Sequence, residues 1–329
     1  MPAWTREELL ALASAYRPSS ILNAAVELDL FTLLSRKRST AQAVASKIRA
    51  DLRGIETLLN ALVAMGLLVK SGDEFGVKRD IASWLSSDGS KSMYHMAAHS
   101  AHLQRSWARL SEVVTIGQPV EPFGKEARKG ATLHAFIGAM YVHGIEIAPS
   151  VVRLVDLKGV HRIIDVGGGP GAYAMAFLQR SPRIRVTLFD LPQVIPIAQG
   201  YLERAGLLKR VDLMPGDFTR DSLPVGHDLA WVSAIIHQQG REENRALFRK
   251  VRDALSPAGR IIVRDHILDK SRTKPQAAAL FAVNMLVRTS RGGCFTFDEI
   301  KEDLQTAGFR KIRLVHHDVQ MNGLVEGTV

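Results

Sequence analysis

The stretch "RIIDVGGGPGAYAMAFL", from Arg162 to Leu178, constrains the fold of this 329-residue chain more than any other. A short apolar strand ends near Asp165, four glycines fill the five positions 167–171, and an apolar helix follows. A turn so free of side chains lets a charged or polar ligand lie against the backbone. The alternation continues downstream. The pattern predicts strands over 162–166, 185–190, 211–214, 229–235 and 260–265, with helices over 172–180, 194–205 and 242–254. The segments "IRLVHHDV" and "NGLVEGTV" read as a closing hairpin at the sheet edge. The fold class expected is α/β, a doubly wound and mostly parallel Rossmann-like sheet with its ligand at the carboxyl ends of the strands.

The glycines also fit Gly167-x-Gly169-x-x-Ala172, a dinucleotide fingerprint, with Asp190 about 20 residues on. Three details point elsewhere. Asp165, two residues before the glycines, suits an ammonium or ordered water and would repel a pyrophosphate. Pro170 stands where a pyrophosphate site wants another N–H donor, and proline has none. "PGDF" then places a second strand-end carboxylate, Asp217, beside an aromatic, Phe218. A cofactor with an amine, a carboxylate, one ribose and an adenine uses all of these groups, and S-adenosylmethionine is such a molecule. Gly167 and Gly169 then admit its methionine moiety, Asp190 accepts the ribose hydroxyls, Asp217 accepts the adenine amino group, and Phe218 packs on the ring. Leu191 and Ser233 complete the expected cofactor set. The plainer alternative is that Asp190 and Asp217 cap the turns after their strands.

Ahead of this region the chain is mainly helical. A helix over 19–34, a second capped by Ser39 or Thr40, a third from after Asp51 to near Gly66, and the "VKSGDEFGV" hairpin form a winged-helix pattern, in which the last two are the paired helices. The second of the pair offers Arg53, Glu56 and Asn60 among leucines and alanines, poor equipment for reading base edges. A net charge of +10 is spread out, with no basic run longer than "RKR" at 36–38, so a solvated surface is expected and not nucleic-acid binding. Leu22, Val26, Leu30, Leu33 and Leu34 are expected to pack against a second subunit. The division expected is a winged-helix dimerisation domain over 1–100, a helical connector over 101–158 that contributes to an acceptor pocket, and a cofactor-binding domain over 159–329. One cysteine, Cys294, fits a reducing compartment. No apolar run approaches the 18 residues of a membrane span, and the opening "MPAWTREELL" lacks the order of a signal peptide. These features imply a cytoplasmic protein. His95, His99 and His102 share a helical face without a nearby carboxylate or cysteine, which suits a pocket wall or a polar lobe interface better than a metal.

His237 lies just past the fourth strand, where a cofactor's methyl group would point, and an imidazole there suits proton removal from a hydroxyl. Asp265, at the end of the fifth strand, is the neighbour able to orient it. The alternative for His237 is a helix-entry histidine facing water. The chain resembles the plant-type small-molecule O-methyltransferases, the family of caffeate, isoflavone and acetylserotonin methyltransferases and their bacterial relatives. The resemblance rests on the winged-helix lobe, "F-x-x-x-M-x-x-H" at Phe136–His143, "DVGGGPG", "FDLPQV", "GDF", His237 and Asp265. It implies a homodimer, a cofactor site at Gly167, Asp190, Asp217 and Phe218, His237 as general base steered by Asp265, and an acceptor pocket lined by Phe136, Met140, His143, Phe281 and Met285. The chain departs from the family at the base, where "HQQ" replaces His-Asp-Trp. Ser233 stands where a lysine is frequent, and Cys294 stands where a second histidine-steering glutamate is common. The expected activity is O-methylation of a small aromatic. N-, S- or C-methylation, a different use of the sulfonium, a winged-helix regulator with a sensing domain, and a nicotinamide dehydrogenase are the alternatives.

Overall fold

The computed structural model describes residues 4–89, 91–120 and 130–329, so most of "GQPVEPFGKE" at 117–126, whose glycines and prolines read as a loop, lies outside them. The backbone divides into two compact units, Met1–Arg105 and Ser106–Val329.

The first unit opens with α1 (Arg6–Ser14), α2 (Tyr16–Glu27), α3 (Leu30–Arg36) and the short β1 (Ser39–Thr40). Next come α4 (Ala41–Ile48), α5 (Leu52–Ala64), a hairpin of β2 (Leu68–Ser71) and β3 (Glu74–Val77), α6 (Arg79–Leu85), and most of α7 (Tyr94–Trp107). Caps set the starts of the paired helices: the Thr40 side chain accepts from the Ala43 amide, and Asp51 accepts from that of Gly54. The strands form an antiparallel sheet in the order β1-β3-β2. Val26, Leu30 and Leu34 are buried here against Phe31, Leu59, Leu62 and Phe75, with Leu22 and Leu33 packed on the same cluster. These five were expected to face a second subunit; the helices are short enough for their apolar stripes to meet one another first. Unpartnered apolar surface lies instead on α1, which buries no residue and leaves Leu9, Leu10 and Leu12 at least half exposed.

In the second unit α8 (Leu110–Ile116) begins after a turn at Arg109, although "YHMAAHSAHLQRSWARLSEVV" reads as one helical segment in the sequence. Then α9 (Gly130–Arg153) leads into the sheet: β4 (Arg162–Val166), α10 (Ala172–Arg180), β5 (Arg185–Asp190), α11 (Ile195–Arg204), β6 (Val211–Pro215), β7 (His227–Ser233), α12 (Arg241–Ala254) and β8 (Leu255–Asp265). After β9 (Ile267–Leu268) come α13 (Gln276–Arg288), β10 (Phe295–Thr296), α14 (Phe297–Thr306), β11 (Arg310–His316) and β12 (Gly323–Thr328). Seven strands pair in the order β11-β12-β8-β7-β4-β5-β6, parallel from β8 to β6 and antiparallel at β12 and β11. Strand order reverses at β4, so the crevice beyond its carboxyl end is the natural ligand site.

Alternation along β4 explains both core layers. Ile164 and Val166 face a cluster with Leu247, Phe248 and Val251 of α12, while Ile163 faces one with Met175 and Phe177 of α10 and Val151 of α9. Two boundaries differ from expectation. β7 stops at Ser233 and not 235 because Ala234 turns to φ +58, and β8 starts at Leu255 because the chain enters the sheet straight from α12 through a bulge. The helix over Thr132–Arg153, with hydropathy 1.4, is long and apolar enough by composition to cross a membrane, contrary to the reading of the sequence as a string. It carries Glu146 and Pro149, and its Ala148, Val151 and Val152 belong to the sheet's core.

Candidate active site

The glycine turn after β4 is shaped by two needs. Gly167 has φ +66 and Gly169 φ +53, the left-handed region that glycine enters without strain. A Cβ on Gly167 would also collide with Ile235 Cδ1 and touch Phe218, so a side chain there would fill the crevice. Beneath the turn Asp165 is 2% exposed, and its Oδ2 has no hydrogen-bond partner. Burial and the Asp190 carboxylate push Asp165 up to about 7. Such a group is waiting for a cation or a donor.

Asp190 ends β5 half-buried. Its Oδ2 accepts from the Gly169 amide at 2.7 Å and its Oδ1 from the Leu191 amide at 2.7 Å, so the carboxylate is locked in orientation. Asp217 follows β6. Its Oδ1 accepts from the amide and hydroxyl of Thr219 at 2.9 and 2.6 Å, which is the turn-capping role, and Arg220 lies 4.0 Å from its Oδ2. Phe218 packs against the core beside Gly167. Ser233 ends β7, and its Oγ accepts from Arg264 at 3.1 Å.

His237 sits in a single turn of 3-10 helix, Ile236–Gln238, entered through the strained Ala234. A left-handed residue other than glycine costs about 1–2 kcal/mol, and here it turns the chain sharply at the strand end. The imidazole is 6% exposed and not water-facing, and its Nδ1 meets both oxygens of Asp265, at 2.8 and 3.0 Å. Asp265 is itself fixed by the His266 amide at 2.8 Å. Nδ1–H therefore donates to the carboxylate, and Nε2 is the nitrogen left to accept a proton. The loop after α13 seats this turn: the Gly293 amide donates to the His237 carbonyl at 2.9 Å, and a Cβ on Gly292 would collide with that carbonyl. Phe281 stands edge-on to His237, centroids 4.9 Å apart at 85°, and also packs on His266. Burial pulls His266 down to about 4, so this second imidazole stays neutral beside the first.

The other expected residues are spread more widely. Met285 is buried on α13, and Cys294 is buried against Leu268, Ala278 and Phe281, where burial and the nearby Asp265 push its thiol up to about 12. Phe136 packs on the cluster of Leu133, Ile137, Leu191 and Val194, and Phe281 on a different one. Met140 is half-buried and His143 exposed on α9; His143 is held below the ordinary value by partial desolvation and by Arg264. Among the described residues no three His, Cys, Asp or Glu side chains gather as a metal site would require. Sequence reasoning overlooked Arg264, Tyr173 and His266. An arginine inside the apolar run "IIVRD" was the available signal for the first.

Residues 98–310 match the family model described as the O-methyltransferase domain, and residues 10–101 match that of the O-methyltransferase dimerisation domain. The chain belongs to the O-methyltransferase family. It is 31% identical to 3-hydroxy-5-methyl-1-naphthoate 3-O-methyltransferase of Streptomyces sahachiroi, over 97% of this chain and 94% of that one. It is likewise 31% identical to the tetracenomycin polyketide synthesis 8-O-methyl transferase of Streptomyces glaucescens, over 93% and 92%. Among solved structures, human N-acetylserotonin methyltransferase in complex with S-adenosylmethionine superposes with a TM-score of 0.83 at 25% identity, covering 100% of this chain and 99% of that one. For this O-methyltransferase the regulator and dehydrogenase readings fall away.

Proposed function

We propose that the protein transfers a methyl group from S-adenosylmethionine to a hydroxyl of a small aromatic molecule, with His237 as general base, as a cytoplasmic homodimer. The observation that carries the catalytic reading is the buried His237–Asp265 pair beyond β7, beside the glycine turn. The cofactor fits the residues present. Its ammonium suits the orphaned Asp165 Oδ2, its methionine backbone suits the space that a Cβ on Gly167 would fill, and its ribose hydroxyls suit Asp190. Adenine suits Phe218, with its amino group toward Asp217, while Gly169, Leu191 and Ser233 border the same crevice. When bound, the sulfonium supplies an electrophilic methyl.

The protein's own residues do the rest. His237 Nε2 takes the hydroxyl proton, and Asp265 fixes the tautomer and stabilises the imidazolium that results. Phe281 and Met285 offer flat and adaptable apolar surface to an aromatic ring, with Phe136, Met140 and His143 of α9 as the remaining expected contacts. Cys294 stays a thiol and adds no second carboxylate to the base. The naphthoate and tetracenomycin named for the relatives support an aromatic acceptor. The lone, buried Cys294 supports a reducing compartment. The decisive experiment incubates purified protein with methyl-labelled S-adenosylmethionine and a panel of hydroxyarenes, with mass spectrometry for co-purified S-adenosylhomocysteine. Label in an aryl ether is expected; no adenosyl ligand and no transfer to any hydroxyarene overturns the reading.

A further inference from the structure

Arg264, next to last in β8, is 2% exposed, and a buried guanidinium is costly unless something anionic answers it. Its partners are neutral. Nε and Nη2 donate to Asn322 Oδ1 at 3.2 and 2.9 Å, and Nη1 donates to Ser233 Oγ at 3.1 Å. The group also lies 5.1 Å over the Tyr173 ring. Among the described residues no carboxylate forms an ion pair with it, although Asp265 and Asp318 act on it from farther off. Of five N–H groups, three are used, leaving one on each terminal nitrogen to donate further.

Two neighbours point the same way. The Tyr173 hydroxyl is buried and has no hydrogen bond of normal length, though it faces Ser233. Burial pushes it up to about 12, so it remains a donor. Asp165, whose Oδ2 also lacks a partner, acts electrostatically on Tyr173, as Arg264 does. A group suited to an anion and a group suited to a cation thus act on one tyrosine. Position 233 carries serine where the family resemblance leads one to expect lysine, and the sheet register pairs Ser233 with Arg264, so a cation arrives from the adjacent strand.

We propose that Arg264, with Tyr173 and Ser233, forms a carboxylate-binding subsite at the ends of β7 and β8. This rests on the methyl-transfer reading, within which two carboxylates are available: that of the cofactor's methionine end, and one borne by the aromatic acceptor. Calorimetry on the full-length protein separates them with four probes. These are S-adenosylhomocysteine, 5′-methylthioadenosine (which lacks the amino-acid end), a hydroxynaphthoate and the matching naphthol.

Wild-type binding of S-adenosylhomocysteine is read first, since its absence strikes the methyl-transfer reading and not the subsite. Arg264→Gln is expected to weaken S-adenosylhomocysteine about 10- to 100-fold, as loss of a charged hydrogen-bond partner does, and 5′-methylthioadenosine by less than about threefold. Tyr173→Phe should weaken the former severalfold. If Arg264→Gln instead spares S-adenosylhomocysteine but abolishes preference for hydroxynaphthoate over naphthol, the subsite stands and its carboxylate belongs to the acceptor. Unchanged S-adenosylhomocysteine affinity together with unchanged naphthoate preference overturns it. Should Arg264→Gln fail to fold, Arg264→Lys, which keeps the charge and loses the fork, and Tyr173→Phe answer the same comparison.

Discussion

At the scale of single residues, the His237–Asp265 pair makes the sharpest prediction. His237→Ala should retain S-adenosylhomocysteine affinity, because the ring is placed toward the acceptor, while the methyl-transfer rate falls by about 10²–10⁴. Asp265→Asn should fall less, since orientation suffers and the base survives. The deficit of His237→Ala should narrow as pH approaches the acceptor's own pKa; wild-type rate in His237→Ala at neutral pH would remove the base from the mechanism. Asp165 supplies a second test. Its folded pKa is raised from 3.8 to about 7, so the folded chain holds a proton that the unfolded chain has released. The stability it contributes is therefore full below about pH 4 and is lost as pH climbs through about 7. A ligand ammonium needs the ionised form, so S-adenosylhomocysteine should bind more tightly at pH 8 than at pH 6 and displace a proton at the lower pH. Calorimetry in buffers of different ionisation enthalpy reads that proton directly, and binding at pH 6 without proton release contradicts the role. These acids and His237 were legible in the sequence because each stands at the end of an apolar strand. Arg264 and Tyr173 were not, since their meaning depends on which strand lies beside which, and a single sequence does not print register.

At the scale of elements, the glycine turn and the strand it follows act together. Gly167→Ala must adopt φ +66 and push Ile235 aside. We expect a stability loss of about 1–3 kcal/mol by thermal unfolding, with a larger loss of cofactor affinity; normal affinity in a folded Gly167→Ala would show that no ligand lies against this turn. The four inner parallel strands, β4, β5, β7 and β8, were readable because burial on both faces leaves apolar runs, whereas β6 at the edge is mostly exposed. The strand ends were less readable: one alanine at φ +58 shortens β7, and no residue type announced it. The apolar face of α1 went unrecognised because its nine residues mix charges with leucines, and only the three-dimensional core shows that none is buried.

For the molecule as a whole, the matched dimerisation domain and the bare face of α1 make the same forecast. Light scattering at micromolar concentration should give about twice the chain's 36.2 kDa, and replacing Leu9, Leu10 and Leu12 with serine should raise the monomer fraction; a wild-type monomer would contradict it. Within the second unit, α13 carries Phe281 and Met285, and the loop that follows presses Gly292 and Gly293 onto the carbonyl of His237. On the proposed mechanism, one piece of chain thus both shapes the acceptor's surroundings and props up the base. Reshaping α13 to admit a new aromatic ring therefore slows turnover even on rings that fit. Phe136 and Met140 ride on α9, whose neighbour is α10, and if they line the acceptor pocket as proposed, changing them should admit new acceptors and leave the base undisturbed.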